Sequence, residues 1–354
     1  MSTTIDRRAA FHAIARGEKA EVPYLVAAWQ HLIGYEYGAE EFAQAYINFV
    51  KKWDWDWVKI NPRAIYYAES WGGKYDPENY DGYVIPKKLV DGIQQPEDVA
   101  KIAVLDPTNA QEAPYFAEHI EGARLIRQGL LDRGVIQSVF SPLSILLQLA
   151  DLPLYPGDDY ATPTLTIADI IDNQPEVAKQ ALHNIAQTLA AYVSELVKPE
   201  SEGGVGLDGI FYAVTGTVSE NYFNRERYEE FSLPYDRIVI DAIRAANPDA
   251  VVLVHTCRAD SHPEWFAELG ADIVHWDQYA EGNPHVDADL GAVPVAGANY
   301  LEFNESGDPE QVAKDLQETI ALAGDKQFLL APSCTVPTPA SEASLAVLSK
   351  IRAY

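Results

Sequence analysis

The stretch "VVLVHTCRADSH", residues 251–262, decides how the chain is read. It opens on a short apolar run rich in valine, and His255, Cys257 and His262 follow in quick succession. Such a run reads as a strand buried on both faces, with reactive side chains at its carboxyl end. The chain has two cysteines in 354 residues. The other, Cys334, stands in "FLLAPSCTVPTP" (328–339), again just after a short apolar run.

The same unit recurs along the chain in both directions. Eight β-rich runs are found: "VPYLVA" (22–27), "WVKIN" (57–61), "GVIQSVF" (134–140), "GLDGIFYA" (206–213), "VVLVHT" (251–256), "DIVHWD" (272–277), "VPVAGAN" (293–299) and "FLLAP" (328–332). Helical patterns lie at 5–16, 39–52, 110–132, 169–198, 225–246, 308–323 and 340–352. Alternation of this kind builds a parallel sheet, and a count of eight fits a closed α/β (β/α)8 TIM barrel better than an open doubly wound sheet. Region 62–108, with "WGGKYDPENYDGYVIPKKL", is the main departure and is predicted to form an inserted loop or hairpin over the barrel mouth. No Gly/Ser linker or short repeat divides the chain, so residues 1–354 are expected to form one barrel domain.

Composition narrows the function classes. Hydrophobic residues make up 47% of the chain, enough for a large core, and 26 Lys+Arg against 53 Asp+Glu give a net charge of −27. A field of that sign repels nucleic acid and anionic lipid, and it disfavours a polyanionic substrate unless basic groups gather locally. No apolar run approaches the roughly 18 residues of a membrane span, and the N-terminal stretch lacks the apolar core of a signal peptide. The expectation is a cytoplasmic protein, with reduced thiols, acting on a small molecule.

Catalytic groups of this fold stand at the carboxyl ends of the strands and on the following loops. That rule selects Trp29, Gln30 and His31 after the first strand, Asn61 and Arg63 after the second, and Ser141 after the third. It continues with Tyr212 and Thr215, then His255 and Cys257, Asp277, Asn299 and Cys334 on strands four to eight. Side chains alternate along a strand, so His255 and Cys257 share a side. If the fifth and eighth strands face each other across the mouth, Cys334 joins them. One imidazole and two thiolates favour Zn²⁺, and three protein ligands with one open position is the catalytic arrangement. The plain alternative is two core cysteines and a hydrogen-bonded histidine. His262 is expected at a helix start and His275 as a satisfied structural histidine. A zinc already carrying two thiolates is electron-rich, and thus better suited to holding a third thiolate nucleophilic than to activating water.

On these residues the chain resembles the uroporphyrinogen decarboxylase superfamily, which includes zinc-dependent methylcobalamin:coenzyme M methyltransferases. The likeness runs through "TIDRRAAFHAIARGEKAEVP", "VKINPRAIYYAESWGG", "IQSVFSPLSILLQLA", the segment "GLDGIFYAVTGTVSENYFNRERYEEFSLPYDRIVIDAI" and "FLLAPSCTVPTPASEASLAVL". The methyltransferase branch is marked by H-x-C and a distant C as zinc ligands, matched by His255, Cys257 and Cys334. The decarboxylase branch carries an arginine-rich segment near its first strand. Here "VPYLVAAWQHLIGYEYG" has no arginine, and Asp54 and Asp56 in "WDWDWVKINPR" precede their strand instead of following it.

The resemblance implies a methyl donor of the corrinoid (methylcobalamin) type on a separate corrinoid protein. The acceptor is coenzyme M, tetrahydrofolate or another nucleophile. Decarboxylation of a porphyrinogen or smaller acid, and a non-catalytic corrinoid or metal carrier, are the alternative functions. A homodimer is a further expectation, since dimers are usual among the decarboxylases. Asp277 and Tyr212 are the candidate catalytic groups, Asp277 by orienting His255 or as an occasional fourth ligand. Its alternative is a strand-end carboxylate bonded to a loop. Trp29, His31, Asn61, Arg63 and Asn299 are the candidate substrate contacts, and Arg63 and Arg258 the candidate anion clamps, with salt bridges as the duller alternative. Trp29, Tyr66, Tyr67, Trp71, Tyr212, Tyr222 and Trp276 would form an aromatic mouth for a flat or apolar substrate, or simply pack a capping loop.

Overall fold

The computed structural model describes residues 5–80, 84–155, 158 and 160–354. Its ten strands are β1 (Tyr24–Val26), β2 (Trp57–Ile60), β3 (Lys74–Asp76), β4 (Lys87–Val90), β5 (Gly134–Phe140), β6 (Gly209–Thr215), β7 (Val251–Thr256), β8 (Ile273–His275), β9 (Val293–Ala296) and β10 (Phe328–Leu330). Eight of them form one parallel sheet in the order β1-β10-β9-β8-β7-β6-β5-β2. These are the eight predicted runs, in a nearly closed (β/α)8 barrel.

The ladder is open only between β1 and β2, and Asp56 closes that seam. Its backbone N–H donates to the Val26 carbonyl at 2.8 Å, and its carboxylate accepts the Val26 N–H at 2.9 Å. The other carboxylate oxygen accepts from Arg352 Nε at 3.1 Å and Tyr354 Oη at 2.6 Å, which ties the C-terminal residues to the seam. Asp56 is thus a structural residue at the strand's amino end, away from the mouth. Parallel strands approach closely at Gly209, where a Cβ would lie 2.1 Å from the Val251 carbonyl oxygen.

The helices depart from the sequence patterns in instructive ways. The run 225–246 is two helices, Arg225–Phe231 and Leu233–Ala246, meeting at Ser232 just before Pro234. The long helix is Pro175–Val197, its predicted start displaced by a short π turn at Ala168–Asp172 and by proline at its first position. After β7 there is only a 3-10 segment, Pro263–Leu269, with His262 at its start. No helix lies between β8 and β9. The predicted insertion is present: β3 and β4 pair antiparallel as a hairpin, while residues 81–83 fall outside the described residues. No helix among the described residues is long and apolar enough to cross a membrane.

Candidate metal centre and cavity

Thr256 is the last residue of β7, and the chain leaves the strand through Cys257 and Arg258. Arg258 has a left-handed backbone with φ 78, and Thr215, which ends β6 alongside, has φ 57. Non-glycine residues held there cost on the order of 1–3 kcal/mol and cluster at functional sites. At this turn Cys257 meets Cys334, four residues past the end of β10.

The three predicted ligands converge. One donor atom from each of His255, Cys257 and Cys334 lies within 4.8 Å of the others, and the two sulfurs are 3.2 Å apart. Two sulfurs on a tetrahedral zinc at about 2.3 Å stand ~3.8 Å from each other, so a small separation of the thiols accommodates the ion. The His255 imidazole is oriented by its Nδ1, which lies 3.2 Å from the carbonyl oxygen of His275. A carbonyl only accepts, so Nδ1 carries the hydrogen and Nε2 keeps its lone pair free for a metal. Burial, with His275 and Lys59 close by, holds this imidazole well below its usual 6.5 and therefore neutral. The hydrogen bond between the cysteines pushes the Cys257 thiol up and the Cys334 thiol down. All three residues offer the neutral-nitrogen and sulfur donors that zinc prefers.

A cavity of about 410 Å³ opens over this cluster, with His255, Cys334, Arg258 and Lys59 among its walls. Of the predicted substrate contacts, Trp29, His31, Asn61 and Arg63 line it. Trp29 is buried and donates from Nε1 to Thr335 Oγ1 at 3.2 Å, and its ring meets His275 edge-on at 5.4 Å. His31 is held by Glu36 Oε1 at 2.8 Å. Arg63 is fully buried and engaged by Glu69 Oε2 at 2.7 Å, the Glu36 carbonyl and Glu118, so most of its guanidinium is committed to protein partners; only Nη2 is unpaired. Its predicted role as an anion clamp is corrected to that of a structural cation.

Further corrections follow from side-chain direction. Tyr212 points outward from β6: it is fully buried and donates to Asp236 Oδ1 at 2.6 Å on the covering helix, while Phe211 and Ala213 face the cavity. It is no catalytic group. Asn299 caps the 3-10 turn Tyr300–Phe303, accepting from Leu301 N–H at 3.1 Å, and does not line the cavity. Asp277 does not orient His255, since the His275 carbonyl does; its carboxylate accepts from Tyr279 N–H at 3.1 Å and from Ser333, the loop role given above as its alternative. Burial raises its pKa. Ser141, Ser144 and Thr215 form a buried hydroxyl chain, with Ser141 capping Pro142–Leu149. Gln30 is half-buried with Oε1 unpaired.

Of the aromatic mouth, Tyr66 and Tyr67 line the cavity beside Trp29. Trp71, Tyr222 and Trp276 instead donate to the carbonyls of Ala103, Pro153 and Pro284. His275 stacks on His255 with centroids 4.7 Å apart and bonds through Nε2 to the Pro332 carbonyl at 3.1 Å. His262 stacks on Trp265 at the surface, away from the centre. The reading of the sequence missed Lys59, Tyr155, Tyr160, Phe211 and Tyr300, which all line the cavity. Lys59 had a visible signal: a lysine in an otherwise apolar buried strand is almost never fully buried without a reason. Burial pushes its amine down to about 7, with the two nearby sulfurs pulling the other way.

Eight parallel strands with the donor cluster and cavity at their carboxyl ends define a (β/α)8 barrel whose site lies where that fold carries its chemistry. The model of the family "Uroporphyrinogen decarboxylase (URO-D)" matches residues 27–353, and the chain belongs to that family. Uroporphyrinogen decarboxylase of Hordeum vulgare is 24% identical over 152 residues, 42% of this chain and 43% of that protein. Uroporphyrinogen decarboxylase 2, chloroplastic, of Arabidopsis thaliana is 24% identical over 252 residues, 70% of this chain and 58% of its own length. The match thus spans less than two thirds of either curated relative. Among solved structures, a methyltransferase from Methanosarcina mazei superposes with a TM-score of 0.75 at 14% identity, covering 98% of this chain and 97% of that one. At that identity the likeness concerns the fold.

Proposed function

We propose that the protein is a zinc-dependent methyltransferase that moves a methyl group between a corrinoid donor and a thiol or similar nucleophile. The observation that carries this reading is the convergence of His255, Cys257 and Cys334 at the edge of the cavity. When bound by these residues, zinc would keep an acceptor thiol as thiolate at neutral pH. His255 contributes a neutral nitrogen already turned toward the cluster. Arg258 Nη1, 3.5 Å from Cys257 Sγ, tempers the charge of the sulfurs. Tyr66, Tyr67, Phe140 and Phe211 keep bulk water from the acceptor.

The cavity of about 410 Å³ suits a small acceptor. A corrinoid is far larger, which favours its presentation at the mouth by a partner protein. The curated relatives' names suggest decarboxylation as a second reading. Against it stand the missing arginines near β1 and the commitment of Arg63 to Glu69 and Glu118, which leaves few cations for a polycarboxylate tetrapyrrole.

The test supplies methylcobalamin, free or on a corrinoid protein, with a panel of thiols, and follows loss of the Co–CH₃ absorbance and formation of thioether. Wild type is expected to turn over. Cys257→Ser and Cys334→Ser are expected to lose more than about 100-fold, the upper end of what even a residue supporting a metal ligand costs. Conversion of uroporphyrinogen without methyl transfer would overturn the proposal.

A further inference from the structure

In a chain of net charge −27, the described cavity wall reverses the sign: Lys59, Arg63 and Arg258 face one carboxylate, Asp158. Two of these cations are matched within the protein. Arg63 is held by Glu69 and Glu118, and Arg258 reaches Asp158 at 3.4 Å and Tyr300 Oη at 3.3 Å. Lys59 is different. It is 4% exposed in the middle of β2, with its ammonium 4.3 Å from the Phe211 ring centroid and 5.0 Å from that of Trp29. Its one hydrogen bond among the described residues goes to Asn61 Oδ1 at 2.8 Å, and no carboxylate pairs with it.

Because Asn61 Oδ1 accepts from Lys59, the Asn61 amide presents Nδ2 on its other side. That nitrogen is buried away from the open space of the cavity, so the part Asn61 plays is to hold the Lys59 ammonium in place through Oδ1. The ammonium keeps donors to spare on the cavity wall. Buried donors left unpaired are costly, so this ammonium is suited to an acceptor that the protein itself does not supply. A cationic ligand is disfavoured, because Lys59 and Arg258 already cover the faces of Phe211, Trp29 and Tyr155. The charge and spare donors of the ammonium match a carboxylate.

We propose that Lys59, positioned by Asn61, forms a seat for a carboxylate of the substrate, which places the reacting end of that substrate beside Cys334 and His255. The assignment rests on the reading of the cavity as the substrate site, and not on which metal the cluster holds. The low pKa of Lys59 accords with it: an anion in the seat restores the charge that burial disfavours.

The test compares iodoacetate with iodoacetamide, probes of nearly equal size that differ in the carboxylate, as alkylators of Cys334. Chelator-treated protein is kept reduced with a phosphine, and modification is followed by peptide mass spectrometry. The iodoacetate-to-iodoacetamide rate ratio should exceed that of the unfolded chain by about tenfold, the contribution of one charged hydrogen bond. In Lys59→Met the ratio should fall to the unfolded value; the effect of the lysine's charge on the Cys334 thiol itself alters both rates and divides out of the ratio. If Lys59→Met does not fold by circular dichroism, Asn61→Leu carries the same readout, with a fall in the ratio expected. An unchanged ratio in the folded variant, or a ratio abolished by Arg258→Met with Lys59 intact, overturns the proposal. Since no metal is present, failure of the zinc reading leaves this result untouched, and failure here leaves zinc binding standing.

Discussion

Tyr212→Phe separates a structural from a catalytic role for the tyrosine in the middle of β6. The Tyr212 hydroxyl donates at 2.6 Å to Asp236, whose other oxygen accepts from Ser232 Oγ at 2.8 Å, and all three residues are fully buried. Burial pushes Asp236 up to about 7, the two hydroxyls acting against that rise. The folded value lies above the usual 3.8, so the carboxyl favours folding most at low pH, where it is protonated in both states. Its contribution is lost as pH rises from about 4 through 7. Removing the Tyr212 donor weakens the ionised form most: the expected cost is about 1.5–3 kcal/mol near pH 8 and only about 0.5–1.5 kcal/mol near pH 5. Urea unfolding at the two pH values measures the difference. Metal affinity should match wild type. Equal destabilisation at both pH values would refute the ionised-acceptor account, and loss of methyl transfer without destabilisation would restore Tyr212 as a catalytic group.

Three other outcomes follow from the same contacts. Asp56→Ala removes the acceptor of the Val26 N–H and one partner each of Arg352 and Tyr354, which keep the Trp53 and Asp54 carbonyls and Arg7, and should cost about 1–3 kcal/mol in denaturant unfolding. Asp277→Asn should change zinc affinity by less than about twofold in a chelator competition, far short of the tenfold or more expected had it oriented His255. Zinc affinity should rise with pH across neutrality, because the Cys257 thiol must lose its proton while His255 is already neutral. Calorimetry in buffers of different ionisation enthalpy should show proton release, and release assignable to a histidine would contradict the order.

The strands and the donor cluster were legible because both rest on local signals. β7 and β10 are short apolar runs, His255 and Cys257 share a side by alternation, and Cys334 follows the last run directly. What sequence could not fix was the phase of β6. Its residues are apolar on both faces, so nothing marks inside from outside, and a strand expected at 206–213 begins at Gly209 and ends at Thr215. Tyr212 was misplaced for that reason. Arg63 failed differently: Glu118 is 55 residues away, and such a pairing exists only once the helix Pro114–Gly129 packs beside the mouth. Asn299 looked like a strand-end substrate contact because β9 stops at Ala296, earlier than its apolar run.

The central claim is that His255, Cys257 and Cys334 form one metal centre, and zinc content of the purified protein tests it most directly. Elemental analysis should find about one zinc per chain in wild type and almost none in Cys257→Ser or Cys334→Ser. A folded wild-type protein that stays metal-free after exposure to zinc, or serine variants that keep the full complement, would contradict it.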